Sequence, residues 1–143
     1  MTEPARSSKA GILDTSTLIR LPWLADASDL PEEPLITAVT LAELSVGPLV
    51  ASNEKERAAR QALLQQAEAD FEPLPFDAAA ARAFGRVAAS LRRSGRKRAA
   101  RPYDAMIAAI ALSNALPIHT CNPDDFAGID GLTVVAVRSP RPG

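Results

Sequence analysis

The chain has 143 residues and a formal net charge of −1; 47% of its residues are apolar, 23% are charged and one is cysteine. These values point to a cytoplasmic globular protein and exclude an intrachain disulfide framework. They also argue against a strongly basic nucleic-acid-coating protein, and the opening "MTEPARSSKAG" lacks the apolar core of a signal peptide.

In chain order, "KAGILDTSTLIRL" opens with a short buried strand at 10–13 that stops at Asp14 and a Thr/Ser-rich turn. "ADASDLPEEP" reads as a surface connection and "LITAV" as a second strand. A helix starts at "TLAEL", with Thr40 as N-cap and Glu43 three residues on, the capping-box spacing. Gly47-Pro48 ends it. "NEKERAARQALLQQAEADF" is rich in helix formers, and "EPLPF" is an extended link. From Asp77 a third helix sets Phe84, Val87, Ala88 and Leu91 on one apolar face.

A basic run follows: six Lys or Arg residues lie within "RRSGRKRAAR", 92–101, broken by Ser94-Gly95. Pro102 suits the first position of the next helix, which runs to about Asn114. Residues 105–123 carry no full charge, but Ser113, Asn114, Pro117, His119 and Asn122 argue for a buried helix and strand rather than a membrane span. "LPIHT" is that strand, "CNPDDFAGIDG" a loop with one helical turn, and "LTVVAV" the last strand. Strands alternating with helices indicate an α/β fold with a mainly parallel sheet flanked by helices. The expectation is one domain over 1–143, with a core of about 9–138 and disordered tails at 1–8 and 139–143.

In parallel α/β folds ligands gather at the carboxyl ends of the strands. Asp14 follows the first strand, Glu43 and Asp104 each open a helix, and Asp124 and Asp125 follow "LPIHT". Each acid also has a local explanation. Glu43 completes a capping box, Asp104 favours the positive end of a helix dipole by ~0.3–1 kcal/mol, and the others suit turns. Asp104, however, shares its face with Ile107, Ala108 and Ala111, which aims its carboxylate toward the sheet. An isolated charge there is strongly unfavourable. Two carboxylates ~4 Å apart repel by ~1 kcal/mol in water and ~4 kcal/mol at an effective dielectric of 20. Four together call for a multivalent cation. Oxygen-only ligation favours Mg²⁺ or Mn²⁺, and the single His and single Cys argue against zinc.

"ILDTSTLI" (12–19), "TAVTLAELSVG" (37–47), "YDAMIAAIAL" (103–112) and "TCNPDDF" (120–126) together resemble the PIN-domain ribonucleases, specifically the VapC-type toxins of toxin–antitoxin pairs. The resemblance covers most of the chain in the expected order, and implies a PIN-like three-layer fold. It implies Asp14, Glu43, Asp104 and Asp125 as catalytic and metal-binding acids, with Asp125 rather than Asp124 as the fourth. Thr15, Ser16, Thr120, Asn122 and Asp124 would support them. The implied activity is Mg²⁺- or Mn²⁺-dependent endoribonuclease action with one or two ions. The implied partners are an RNA substrate, a VapB-type antitoxin and a second copy of the chain. Cys121 and Pro123 stand where a basic residue is common in the family.

The basic run then reads as a phosphate-contacting rim formed by Arg93, Arg96, Lys97, Arg98 and Arg101, against the plainer reading of a solvated loop. Trp23 is expected in the core, His119 as structural and Cys121 as a small buried side chain. Two other functions fit less well. An aspartate-nucleophile phosphatase or phosphotransferase would use Asp14 with Thr15 or Ser16 nearby, but wants a second acid at residue 16. A non-catalytic partner-binding module would not need all four acids.

Overall fold

The computed structural model describes residues 9–24, 26–95 and 101–139. Of the tails expected at 1–8 and 139–143, all but Ser139 lie outside the described residues, as do the basic residues Arg96, Lys97 and Arg98. The elements in order are β1 (Ala10–Leu13), α1 (Thr15–Arg20), β2 (Glu33–Leu35), α2 (Ala38–Val46), α3 (Glu54–Asp70), α4 (Ala78–Arg93), α5 (Pro102–Ser113), β3 (Ile118–Thr120) and β4 (Val134–Ala136). Short 3₁₀ turns occupy Leu21–Trp23, Ala27–Asp29, Gly47–Val50 and Pro123–Phe126.

The four strands form one sheet in the order β2-β1-β3-β4, with every pairing parallel. Parallel strands bury both faces, and β1 shows how. Its Ala10 and Ile12 join a cluster with Ala83 and Val87 of α4 and Ile107, Ala108 and Ile110 of α5. Leu13 turns to the opposite side, where it joins Leu18 of α1, Leu44 of α2 and Ala67 of α3. The result is the three-layer α/β architecture expected from the alternation of elements. Among the described residues no helix is long and apolar enough to cross a membrane.

Two local readings need correction. The expected second strand at 35–39 is displaced: β2 starts at Glu33, inside the stretch read as a surface connection. The reason lies in Thr37, whose side chain accepts the Thr40 backbone N–H at 3.2 Å and so caps α2 three residues before the expected cap. Thr40 is therefore not the cap. The sheet still extends past β2 through one parallel bridge between Thr37 and Leu74 of the proline-rich link. The Thr/Ser-rich turn after Asp14 is also more ordered than expected, forming the short helix α1 with Asp14 as its N-cap.

Helix α5 ends in a Schellman motif. The Leu116 N–H reaches the Ala111 carbonyl at 2.9 Å and the Ala115 N–H reaches that of Leu112 at 3.2 Å. The left-handed position falls on Ala115, with φ of 54°, where glycine is favoured.

Candidate active site

The parallel register builds the site's centre. Ile12 pairs with Ile118 and Leu13 with His119, so the next residues, Asp14 and Thr120, meet at the carboxyl edge of β1 and β3. The Thr120 hydroxyl donates to Asp14 Oδ2 at 2.9 Å, and the Ser16 hydroxyl donates to the same oxygen at 3.1 Å. Asp14 Oδ1 accepts the Thr17 backbone N–H at 3.3 Å and a short bond from the Thr17 hydroxyl. Four donors thus hold a side chain that is only 2% exposed. Burial raises the Asp14 pKa, while these hydrogen bonds oppose the rise.

The donors are themselves held. Cys121 gives its N–H to Thr17 Oγ1 at 2.9 Å, Asn122 its N–H to Thr120 Oγ1 at 2.9 Å, and the Asn122 side-chain amide reaches Ser16 Oγ at 3.1 Å. Ser16 and Thr120 thus hold Asp14 directly, and Asn122 holds both of them. Thr17 was missed, although its place three residues after an N-capping Asp was a usable signal.

Because α2 starts at Ala38, Glu43 lies in its second turn and takes no part in capping. Its Oε1 accepts the Thr15 hydroxyl at 2.7 Å. Partial burial raises the Glu43 pKa; the Thr15 bond opposes this, the Asp14 charge adds to it and Arg101 opposes it.

Asp104 occupies the third position of α5, behind Arg101 as N-cap and Pro102 as first residue. Ile107, Ala108 and Ala111 on its face are fully buried, as expected from the spacing. Its pKa is raised from 3.8 to about 6, first by desolvation and then by the charges of Asp125, Asp14 and Glu43, with Arg101 opposing. Acids from three other segments thus act electrostatically on Asp104. Asp125 sits half-buried in the Pro123–Phe126 turn, its backbone N–H bonded to the Asn122 carbonyl at 3.0 Å, whereas Asp124 is exposed and is not among the charges that act on Asp104.

Among the described residues, no group of three or more Asp, Glu, His or Cys side chains is gathered closely enough to hold a metal ion. The four acids are coupled through space rather than closed on one point. Of the basic residues, Arg101 is exposed and faces the pocket electrostatically, while Arg93 is paired with Asp130 at 2.7 Å. Trp23 is 52% exposed rather than in the core, because it falls on the 3₁₀ turn beyond α1. Cys121 is half-buried. His119 is structural: its Nδ1 lies 3.0 Å from the Asp29 carbonyl oxygen, and its ring covers Gly11, where a Cβ would come within 2.5 Å of Cδ2.

Comparison with known proteins gives consistent matches. The PIN domain family model matches residues 12–132. Ribonuclease VapC5 of Mycobacterium tuberculosis is 44% identical over 130 residues, which is 90% of this chain and 93% of that protein. Ribonuclease VapC8 of the same species is 33% identical over 71% of this chain and 89% of its own. Among solved structures, a chain of the toxin–antitoxin complex VapBC-5 from Mycobacterium tuberculosis is 45% identical, with a TM-score of 0.77 over 91% of this chain and 98% of that one. A chain of DNA-bound VapBC from Salmonella typhimurium is 28% identical, with a TM-score of 0.68 over 89% and 97%.

Proposed function

This chain belongs to the PIN-domain family, among the VapC proteins, and from that premise we propose that it is a metal-dependent endoribonuclease serving as the toxin of a toxin–antitoxin pair. The observation that carries the proposal is the state of Asp104, whose pKa of about 6 registers the charges of Asp125, Asp14 and Glu43 together. Such mutual perturbation is costly to a fold and marks a working site.

The chemistry of the donor set suits a hard divalent cation, although the described acids are not closed on one point. Every candidate ligand is a carboxylate, and no hydrogen bond among the described residues offsets the desolvation of Asp104. Asp14 and Asp104 are the principal ligands in this reading, with Glu43 and Asp125 completing the set. When bound, Mg²⁺ or Mn²⁺ supplies an activated water and charge neutralisation for phosphodiester hydrolysis. Thr17, Thr120 and Ser16 fix the Asp14 carboxylate in one orientation, so little reorganisation remains for the reaction. Arg101 supplies positive charge where the RNA phosphate enters. The expected products carry a 5′-phosphate and a 3′-hydroxyl.

Asp14 as a covalent nucleophile is disfavoured, because that chemistry wants a second acid at residue 16, where this chain has Ser16 donating its hydroxyl to Asp14. A VapB-type antitoxin is the proposed inhibitor, supported by similarity to chains of VapBC complexes. A homodimer and a cytoplasmic location are proposed with it. RNA cleavage that EDTA stops and Mg²⁺ or Mn²⁺ restores tests the reading; full cleavage by a chelated, metal-free protein would sink it.

A further inference from the structure

Thr40 carries a hydroxyl that neither the helix nor the reading above uses. The side chain is fully buried in α2, and Thr37 does the capping for which Thr40 was suited by sequence. Thr40 Oγ1 instead lies 2.9 Å from Thr15 Oγ1. Thr15 in turn donates to Glu43 Oε1 at 2.7 Å. A threonine hydroxyl has one proton, and that of Thr15 is committed to Glu43, so Thr40 is the donor in the other contact. The chain of bonds runs from Thr40 to Thr15 to Glu43, each polarising the next.

The placement of Thr15 gives this chain its consequence. Thr15 is the first residue of α1 and directly follows Asp14. The hydroxyl that grips Glu43 is therefore fixed to the same turn that carries the first acid. Thr40, three residues before Glu43 on α2, anchors that hydroxyl from the other helix. Losing Thr40 leaves the Thr15 to Glu43 bond in place but frees Thr15 to rotate away from it.

We propose that Thr40 is a positioning residue that acts through Thr15 to fix Glu43 relative to Asp14, and so sets the affinity of the acid pocket for a divalent cation. The inference rests on the cation-binding reading of that pocket. Its test is Mn²⁺ binding by calorimetry to the full chain as wild type, Thr40→Val and Thr40→Ser, each also in a Glu43→Gln background, with metal-free melts to confirm folding.

Thr40→Val should weaken Mn²⁺ binding by roughly tenfold, the lower end of what loss of an outer-shell hydrogen bond costs. Thr40→Ser, which keeps the hydroxyl, should stay near wild type. In the Glu43→Gln background Thr40→Val should add no further loss, as expected for two residues acting through one contact. Wild-type affinity in Thr40→Val would overturn the inference alone, and so would equal losses in the Val and Ser variants or an undiminished loss without Glu43. A wild type that neither binds Mn²⁺ nor cleaves RNA would overturn the proposed function and this inference with it. Should Thr40→Val fail to fold, Thr40→Ala carries the same comparison.

Discussion

Thr120, the last residue of β3, donates its hydroxyl to Asp14 at 2.9 Å, joining two strand ends that are 106 residues apart in sequence. Both residues are buried, and the same Thr120 oxygen accepts the Asn122 N–H. Thr120→Val should therefore destabilise the protein by about 1–3 kcal/mol, the usual cost of leaving a buried polar group unpaired. Cleavage should fall with it, and Thr120→Ser should restore both. Denaturant melts and an RNA-cleavage assay check this; a Val variant as stable and active as wild type would show that the contact does nothing.

The raised pKa of Asp104 makes a signed prediction for the metal-free protein. A carboxyl with a folded pKa of about 6 and an unfolded value of 3.8 holds its proton more tightly when folded. The contribution of this carboxyl to stability is thus greatest below about pH 4, is lost as pH rises through 4 to 6, and stays lost above. The shift of about two pKa units caps the effect near 3 kcal/mol, and the half-exposure of Asp104 to water reduces it to roughly 1 kcal/mol. Asp104→Asn should accordingly gain about that much at pH 8 and almost nothing at pH 4. Melts of both proteins at the two pH values in EDTA measure it; a loss at pH 8 would mean that Asp104 stabilises the helix start more than its acidic neighbours oppose it.

Among the described residues, Arg101 is the positive charge that acts on both Glu43 and Asp104. Arg101→Gln should lower RNA affinity and reduce its salt slope by about one, as for one lost phosphate contact. Neutralising Arg96, Lys97 and Arg98 together should reduce the slope further. An unchanged slope after both sets of substitutions would return the basic run to a solvated loop.

Ala115 offers a test of the fold that leaves the site untouched. Its φ of 54° is strained for a residue with a Cβ. Ala115→Gly should raise stability by about 0.5–1 kcal/mol without changing cleavage. A destabilised glycine variant would show that the Ala115 methyl is worth more in packing than its backbone strain costs.

Much of this was legible in the sequence because the signals were local. The run ending at Asp14, the helix formers of 53–71, the apolar face after Asp77, Pro102 at a helix start and the charge-free 105–123 stretch each specify an element through propensity or periodicity. Asp14 and Asp104 stood out for the same reason, one following a strand and the other opening a helix, whereas Glu43, read as completing a capping box, lies in the second turn of α2. Thr37 against Thr40 was not legible, because both fit an N-cap and only the bridge of Thr37 to Leu74 fixes where the strand gives way to the helix. Thr17 and Trp23 were misjudged because α1 and the turn after it are too short to show a period. Asp125 could be separated from Asp124 by family pattern, but the reason it faces Asp104 is the 3₁₀ turn, which tertiary packing sets.

The central claim is that Asp104 and its three neighbouring acids form a metal-dependent RNA-cleaving site. The most direct test follows cleavage of an RNA oligonucleotide by wild type and Asp104→Asn, first in EDTA and then across a Mn²⁺ titration. Neither protein should cleave in EDTA, wild type should recover fully as Mn²⁺ is added, and the variant should show at most residual cleavage at every concentration. An Asp104→Asn protein that recovers with Mn²⁺ as wild type does would contradict it, and would leave Asp104 as nothing more than a favourable charge at a helix start.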